Sequence, residues 1–262
     1  MGRIPAYVAR PPVGAYRSLN PATKLVVALS TALVAFGVRG WSGPLTMLAV
    51  VIVTIAITGL WRSIRRYLLL STPILVSVLA INTFFFPNAT DVLVRLGPFA
   101  ATGTGLIAGV QGALRILAFA LSVAVLSLTT PTDDLLSDLE RRGLGRRAVF
   151  VIGTAIQTVP RMIARAAEIV ESQRARGMDT EGSWARRIRG VLPLAGPMVL
   201  GALGDVEERT MALEARAFTA SGRRTVIREL PDSRAQRAAR WTIGLGSIAL
   251  VALALAGVVN LP

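Results

Sequence analysis

In 262 residues the chain carries 53% hydrophobic side chains and neither cysteine nor histidine, with a mean hydropathy of +0.57. Soluble globular domains sit nearer ~45–50% apolar, and the missing residue types exclude disulfides, thiolate chemistry, histidine general bases and the usual zinc sites. The net charge of +14 comes from 29 basic residues against 15 acids, every basic residue being arginine except Lys24; with that lysine in Pro21-Ala22-Thr23-Lys24-Leu25, no Gly-Lys-Ser/Thr phosphate loop can form.

Charge is distributed unevenly along the chain. Up to Thr132 there are ten basic residues and a single acid, Asp91, whereas the other fourteen acids and nineteen arginines lie between Asp133 and Arg240. Acids therefore avoid the apolar part, and the mixed signs of the later stretch mark a solvated, folded surface. A nucleic-acid interface is not expected, because the arginines stand at span ends or among carboxylates without interleaved aromatics.

A membrane-spanning helix needs about 20 mostly apolar residues, and five stretches are candidates. The first, 25–38, is short, bounded by Lys24 and Arg39, and is compatible with a re-entrant segment. The second, 44–60, follows the turn signal Gly40-Trp41-Ser42-Gly43-Pro44. The third, 67–86, carries Pro73 in its first turns, where a missing N–H costs least. The stretches 105–128 and 241–261 are long and uninterrupted. Trp41, Trp61, Tyr67 and Trp241 fall at span ends, where amphipathic rings favour the interface. Within the fourth stretch, Gly105 and Gly109 form a small-residue motif that admits a neighbouring helix closely, and Arg115 needs a partner, a polar interior or a route to the interface.

The arginine excess orients these spans. The N-terminus, the loop with Arg62, Arg65 and Arg66, and the whole stretch from Asp133 to Arg240 fall on one side, which the positive-inside rule makes cytosolic. Five spans with an inside N-terminus result, in a multi-pass protein of the cell membrane. The fold class is thus all-α: a polytopic membrane protein of about five transmembrane helices, with a membrane part over 1–128, a cytosolic helical segment over 129–240 and a last span in 241–262.

Inside the cytosolic segment, Thr132 with Asp133 and Asp134 reads as an N-cap with acids in the first turn, opening a short helix that ends near Arg142-Gly143. From Ala148, the apolar set Ile156, Val159, Ile163, Ala166 and Val170 repeats at helical spacing; this helix is expected to be interrupted or bent near Pro160 and to end at Arg176-Gly177, glycine serving as a left-handed cap. Residues 184–203 begin with Arg186, Arg187 and Arg189 and read as a segment at the membrane surface. A second amphipathic helix follows, with Leu203, Val206, Thr210, Leu213 and Ala217 on one stripe, closing near Arg216-Ala217-Phe218. Two helices thus end on the same word, Ala175-Arg176-Gly177 and Ala215-Arg216-Ala217. An arginine there offers a planar fork for a carboxylate, beside small residues that let a partner backbone approach, although arginine at a helix C-terminus is also favoured by the macrodipole alone. Arg174 and Glu214 fit supporting roles at these helix ends.

The chain resembles the transmembrane component of energy-coupling-factor vitamin and metal importers, the CbiQ-like family. The resemblance runs through Thr129-Thr130-Pro131-Thr132-Asp133-Asp134-Leu135-Leu136, Val159-Pro160, Glu171-Ser172-Gln173-Arg174-Ala175-Arg176-Gly177, Leu192-Pro193, Ala212-Leu213-Glu214-Ala215-Arg216 and Arg224-Thr225, in matching order and spacing. It implies a scaffold without catalysis or cofactor, whose two coupling helices cross beneath the membrane. Each would set its Ala-Arg-small end, at 175–177 and 215–217, in a groove of one of two ABC-type ATPase subunits. The membrane helices and the membrane-facing side of the coupling helices would hold a small substrate-binding membrane subunit, and selectivity would belong to that partner. Two positions depart from the family pattern. Ala217 stands where glycine is usual, which implies a helix running on differently before Ser221-Gly222, and Ile156-Gln157-Thr158 replaces an Arg-Phe pair.

A reading of a different class is a membrane enzyme, a prenyltransferase-like protein holding Mg²⁺–diphosphate on Asp133, Asp134 and Asp138. Such chemistry needs a second acidic cluster on a facing helix, and Asp205-Val206-Glu207-Glu208 sits amid amphipathic spacing. A self-contained channel or carrier would require polar residues inside several spans, for which only Asn82 and Arg115 offer themselves.

Overall fold

The computed structural model describes residues 14, 16–38, 40–87, 91–96, 99–177, 184–218 and 232–257, with the backbone alone for 96, 99 and 184–194. These form two compact units, 1–143 with 230–262, and 144–229.

In the first unit, α1 (Pro21–Gly37) and α2 (Ser42–Thr58) have 17 residues each, and at ~1.5 Å per residue each is about 25 Å long, short of a hydrocarbon core of ~30 Å. Helices α3 (Trp61–Phe85), α4 (Gly103–Thr129) and, later in the chain, α8 (Arg234–Leu255) are long and apolar enough to cross a membrane. Helix α1 starts four residues before its apolar run because Asn20 caps it, accepting from the Ala22 N–H at 3.0 Å, with Pro21 at the first position. Helix α8 likewise begins at Arg234, capped by Ser233; hydropathy registers only its membrane part and passes over an arginine-rich first two turns.

Between α3 and α4 lies an antiparallel hairpin of β1 (Val92–Leu96) and β2 (Phe99–Thr102), pairing Val94 with Ala101 and Arg95 with Ala100. It is a local departure from the all-α expectation. The Asp91 carboxylate ties it to the start of α4, accepting from the Thr104 N–H at 2.6 Å and hydroxyl at 2.8 Å, and these bonds hold the carboxyl below its ordinary range.

Helix α4 is central, packing on α1, α2 and α3. Val51, Ile55, Leu60, Ile64, Leu121, Ala124 and Val125 form a buried cluster among α2, α3 and α4. The small-residue motif serves this packing: a Cβ at Gly105 would collide with the Asn82 carbonyl and the Thr102 hydroxyl, and one at Gly109 would press on the Leu79 carbonyl at 3.1 Å. The two span residues singled out for their polarity, Asn82 and Arg115, both have structural employment. Asn82 donates to the Val78 carbonyl of its own helix at 2.8 Å, and Arg115 reaches the Val38 carbonyl at the end of α1 at 3.4 Å, where a helix C-terminus favours positive charge.

Helix α5 (Thr132–Arg141) and the start of α8 join this unit through a polar clasp. Asn20, 1% exposed, donates to Asp138 at 3.0 Å, and Asp138, 3% exposed, is paired with Arg142 at 2.6 Å. Arg240 donates to Asn20 at 3.3 Å and to Asp232 at 3.1 Å, while Gln236 accepts from the Asn20 N–H at 3.0 Å. Buried Lys24 donates to the carbonyls of Arg17 at 2.9 Å and Thr129 at 3.0 Å, adding the end of α4. Thr132 is not the cap expected: Pro131 occupies that position with no side-chain bond, and the acids Asp133 and Asp134 supply the favourable first-turn charge.

The second unit holds α6 (Arg146–Ala175) and α7 (Trp184–Ala215). Two expectations are corrected here. Helix α6 is not interrupted at Pro160, and 184–203 is not a segment apart from the second amphipathic helix but the first part of the single 32-residue helix α7. A proline removes one intrahelical bond, and in helices this long the remaining ladder keeps the element whole.

Candidate functional site

The two matched helix ends are exposed, and each is followed by a residue at positive φ. After Ala175, the last residue of α6, Arg176 is the C-cap in a near-helical conformation and Gly177 takes φ +87°, donating to the Arg174 carbonyl at 2.9 Å. After Ala215, the last residue of α7, Ala217 takes φ +52° and donates to the Glu214 carbonyl at 2.9 Å, while Phe218 donates to Leu213 at 3.0 Å. This is a Schellman closure. Ala217 therefore does not let the helix run on; it adopts the left-handed backbone that glycine supplies at the other end, and Ser221-Gly222 lie outside the described residues. Arg174 and Glu214 help to hold these ends through their backbone carbonyls.

A left-handed alanine carries a steric cost of about 1–2 kcal/mol, and glycine there gives back part of it as lost backbone entropy. Ala217→Gly is expected to stabilise the chain by about 1 kcal/mol and Gly177→Ala to destabilise it by a similar amount. Thermal unfolding of both purified variants checks the opposite signs.

The side chains of Ala175, Arg176, Ala215 and Arg216 are all exposed, and among the described residues neither Arg176 nor Arg216 has a side-chain hydrogen bond or ion pair. Where α6 meets α7, Arg165 pairs with Asp205 at 3.1 Å, and Phe150 near the start of α6 packs on Phe218 with ring centroids 4.8 Å apart. The end of α7 is thus beside the beginning of α6. Arg176 follows Arg165, and Arg216 follows Asp205, by the same interval of about three turns, roughly 16 Å in each case. The two guanidinium groups consequently project from opposite ends of the pair, on the order of 30–40 Å apart, too far to share one ligand. Ile156, Val159 and Ile163 on α6, and Val199, Leu203 and Val206 on α7, are exposed apolar residues.

The acidic triad of the enzyme reading does not assemble. Asp138 is buried against Asn20 and Arg142, whereas Asp133 is exposed, and among the described residues no group of three acidic side chains could hold a metal ion. Sequence reasoning missed the clasp of Asn20, Asp138, Asp232 and Arg240; the capping signal Asn20-Pro21 was its one local trace.

Apolar helices of spanning length beside shorter ones, a clasp joining their ends and a separate pair of long amphipathic helices define a multi-pass helical membrane protein. Residues 15–226 match the family model described as cobalt transport protein, CbiQ, and the chain belongs to that family. Over 237 residues it is 26% identical to the energy-coupling factor transporter transmembrane protein EcfT of Leuconostoc gelidum subsp. gasicomitatum, covering 84% of this chain and 86% of that one. It is 28% identical over 237 residues to the protein of the same name in Limosilactobacillus fermentum, covering 82% and 85%. A Bifidobacterium longum protein named for ABC-transporter ATP binding is 30% identical over 225 residues, covering 81% of this chain but 28% of that longer protein. The chain is an energy-coupling-factor transporter component of the cell membrane, of the ABC importer class, and not an enzyme.

Proposed function

We propose that this chain is the scaffold that couples ATP hydrolysis by two ABC-type ATPase subunits, or a homodimer of one, to movement of a small substrate-binding membrane subunit, for uptake of a vitamin or a transition metal. The observation that carries the reading is the pair of exposed arginine ends at Ala175-Arg176-Gly177 and Ala215-Arg216-Ala217, each closed by a residue at positive φ and set at opposite ends of the α6–α7 pair. Each end is a single forked donor for a carboxylate in a groove, and their separation suits two ATPase subunits rather than one. The Bifidobacterium longum relative, named for ATP binding, carries its match to this chain within a much longer protein, as expected where scaffold and ATPase work together. The exposed apolar stripes of α6 and α7 suit the substrate-binding subunit, and the arginine excess puts the N-terminus and 129–240 in the cytosol. Within that segment, 144–229 would do the coupling while α5 secures the membrane helices.

Because the chain has no cysteine, single cysteines introduced by Ala175→Cys and Ala215→Cys give unambiguous cross-links. Each is expected to capture an ATPase subunit in native membranes, whereas Thr104→Cys, in the first turn of α4 at the end opposite the cytosolic segment, captures none. Absence of ATPase adducts at both helix ends would contradict the docking.

A further inference from the structure

At the end of α3 that the arginine excess makes cytosolic, a cleft of about 350 Å³ is lined by Ser63, Arg66, Tyr67 and Leu70 of α3 and by Leu128 of α4, a volume at the lower end of small-molecule sites. The four α3 residues recur at helical spacing, so one stripe of the helix forms the wall of the cleft. Arg62 stands one turn before Arg66, at the edge of that stripe, whereas Arg65 lies about 100° round the helix from Arg66, on the side away from the cleft. Leu69 and Leu70 follow Arg66 within about 6 Å along the axis and are 73% and 77% exposed. Charge therefore gives way to apolar surface within one turn. Trp61 and Tyr67 belong to the same turns of α3, and amphipathic rings favour the level of the bilayer headgroups.

Among the described residues no carboxylate answers these arginines. Arg62, Arg65 and Arg66 are all exposed, and none has a hydrogen bond or ion pair. The described acids of this unit are engaged elsewhere. Asp91 is bonded to Thr104 at the opposite end of α4, Asp138 and Asp232 are paired within the clasp, and Asp133, Asp134 and Glu140 of α5 have partners of their own. The undescribed positions of this unit add arginines and no acid, and the undescribed acids Asp179, Glu181 and Glu229 belong to the second unit. We propose that the cleft binds one anionic phospholipid, its phosphate held between Arg62 and Arg66 with the Ser63 hydroxyl as a further donor, and an acyl chain descending past Leu70 and Leu128. A soluble anion would use the arginines but leave Leu70 and Leu128 uncovered. A zwitterionic lipid would bring its own cation to a cluster with no carboxylate to receive it. An anionic lipid satisfies both the charge and the apolar wall. The lipid would fill the cytosolic end of the α3–α4 contact, and the proposal stands apart from the coupling role of Arg176 and Arg216.

The test is native mass spectrometry of the full-length chain in mild detergent with equal amounts of phosphatidylglycerol and phosphatidylcholine of the same acyl chains. The wild type is expected to retain phosphatidylglycerol preferentially, with each of Arg62→Gln and Arg66→Gln lowering that preference about fivefold. Arg65→Gln removes the same charge from the side of α3 away from the cleft and should leave the preference nearly unchanged. Ser63→Leu keeps every arginine; its larger side chain should fill the cleft and reduce retention of both lipids. Soluble glycerol phosphate should not displace the bound lipid. Equal retention of the two lipids by the wild type, as a surface kept for an acidic protein would give, would overturn the proposal. So would an undiminished preference in the Arg62→Gln/Arg66→Gln double variant, a loss in Arg65→Gln as large as in Arg66→Gln, or displacement by glycerol phosphate.

Discussion

Transport should cease when Arg176 and Arg216 are both replaced by alanine, and fall only in part when either is replaced alone. A charge-assisted bidentate pair is worth about 1.5–3 kcal/mol, so one substitution weakens one ATPase contact by roughly 10- to 100-fold. The two ends are far enough apart for their effects to add in free energy, and the double variant loses both contacts together. Neither side chain is buried or paired among the described residues, so the chain should still reach the membrane at its normal level. Lysine should rescue poorly, since an ammonium cannot make the forked contact. Substrate uptake in cells, normalised to the amount of chain in the membrane, measures the series; undiminished uptake by the double variant would remove the coupling role from both arginines.

Asp138→Ala should be the most damaging single substitution for stability. It leaves the Asn20 amide, 1% exposed, without its acceptor and takes from Arg142 its closest ion pair, at 2.6 Å. Breaking a buried, hydrogen-bonded charge pair costs about 3 kcal/mol or more, moderated here because Arg142 is partly exposed and Asp232 lies within 3.7 Å of it. Asp138→Asn should restore some of the hydrogen bonding and none of the charge. Asp133→Asn, at an exposed first-turn position, should cost only the ~0.3–1 kcal/mol of a dipole interaction. Thermal unfolding in detergent ranks the three. A metal site would instead make Asp133 and Asp138 comparably important and render the midpoint sensitive to Mg²⁺, which the clasp does not predict.

The parts of this protein legible in its sequence are those governed by local pattern. Hydropathy located all five apolar helices, and helical spacing located α6 and the end of α7, because each signal lies within one element. Boundaries failed where a cap, not hydropathy, sets them: Asn20 starts α1 early and Ser233 starts α8 within an arginine-rich stretch. Residues 184–203 read as a segment apart from the amphipathic helix that follows, but α7 runs through both. The hairpin went unread although Val92-Leu93-Val94 followed by Gly97-Pro98 carries a strand-and-turn signal, since its strands are brief and flanked by stronger helical runs. The clasp could not be read at all. Asn20, Asp138 and Arg240 are far apart along the chain, and only the fold brings them to one point. Of the candidate site, the matched words were visible, while the equivalence of Gly177 and Ala217 depended on a positive φ that alanine does not advertise.

The central claim is that this chain works as a scaffold between ATPases and a substrate-binding subunit. The most direct measurement is co-purification in mild detergent from the native host, comparing the wild-type chain with the Arg176→Ala/Arg216→Ala double variant and identifying every bound protein by mass spectrometry. The scaffold account predicts one or two nucleotide-binding ATPases and a small membrane protein with the wild type, the ATPases being lost or depleted in the variant. A wild-type chain that purifies alone, or a variant that keeps its ATPases in full, would contradict it.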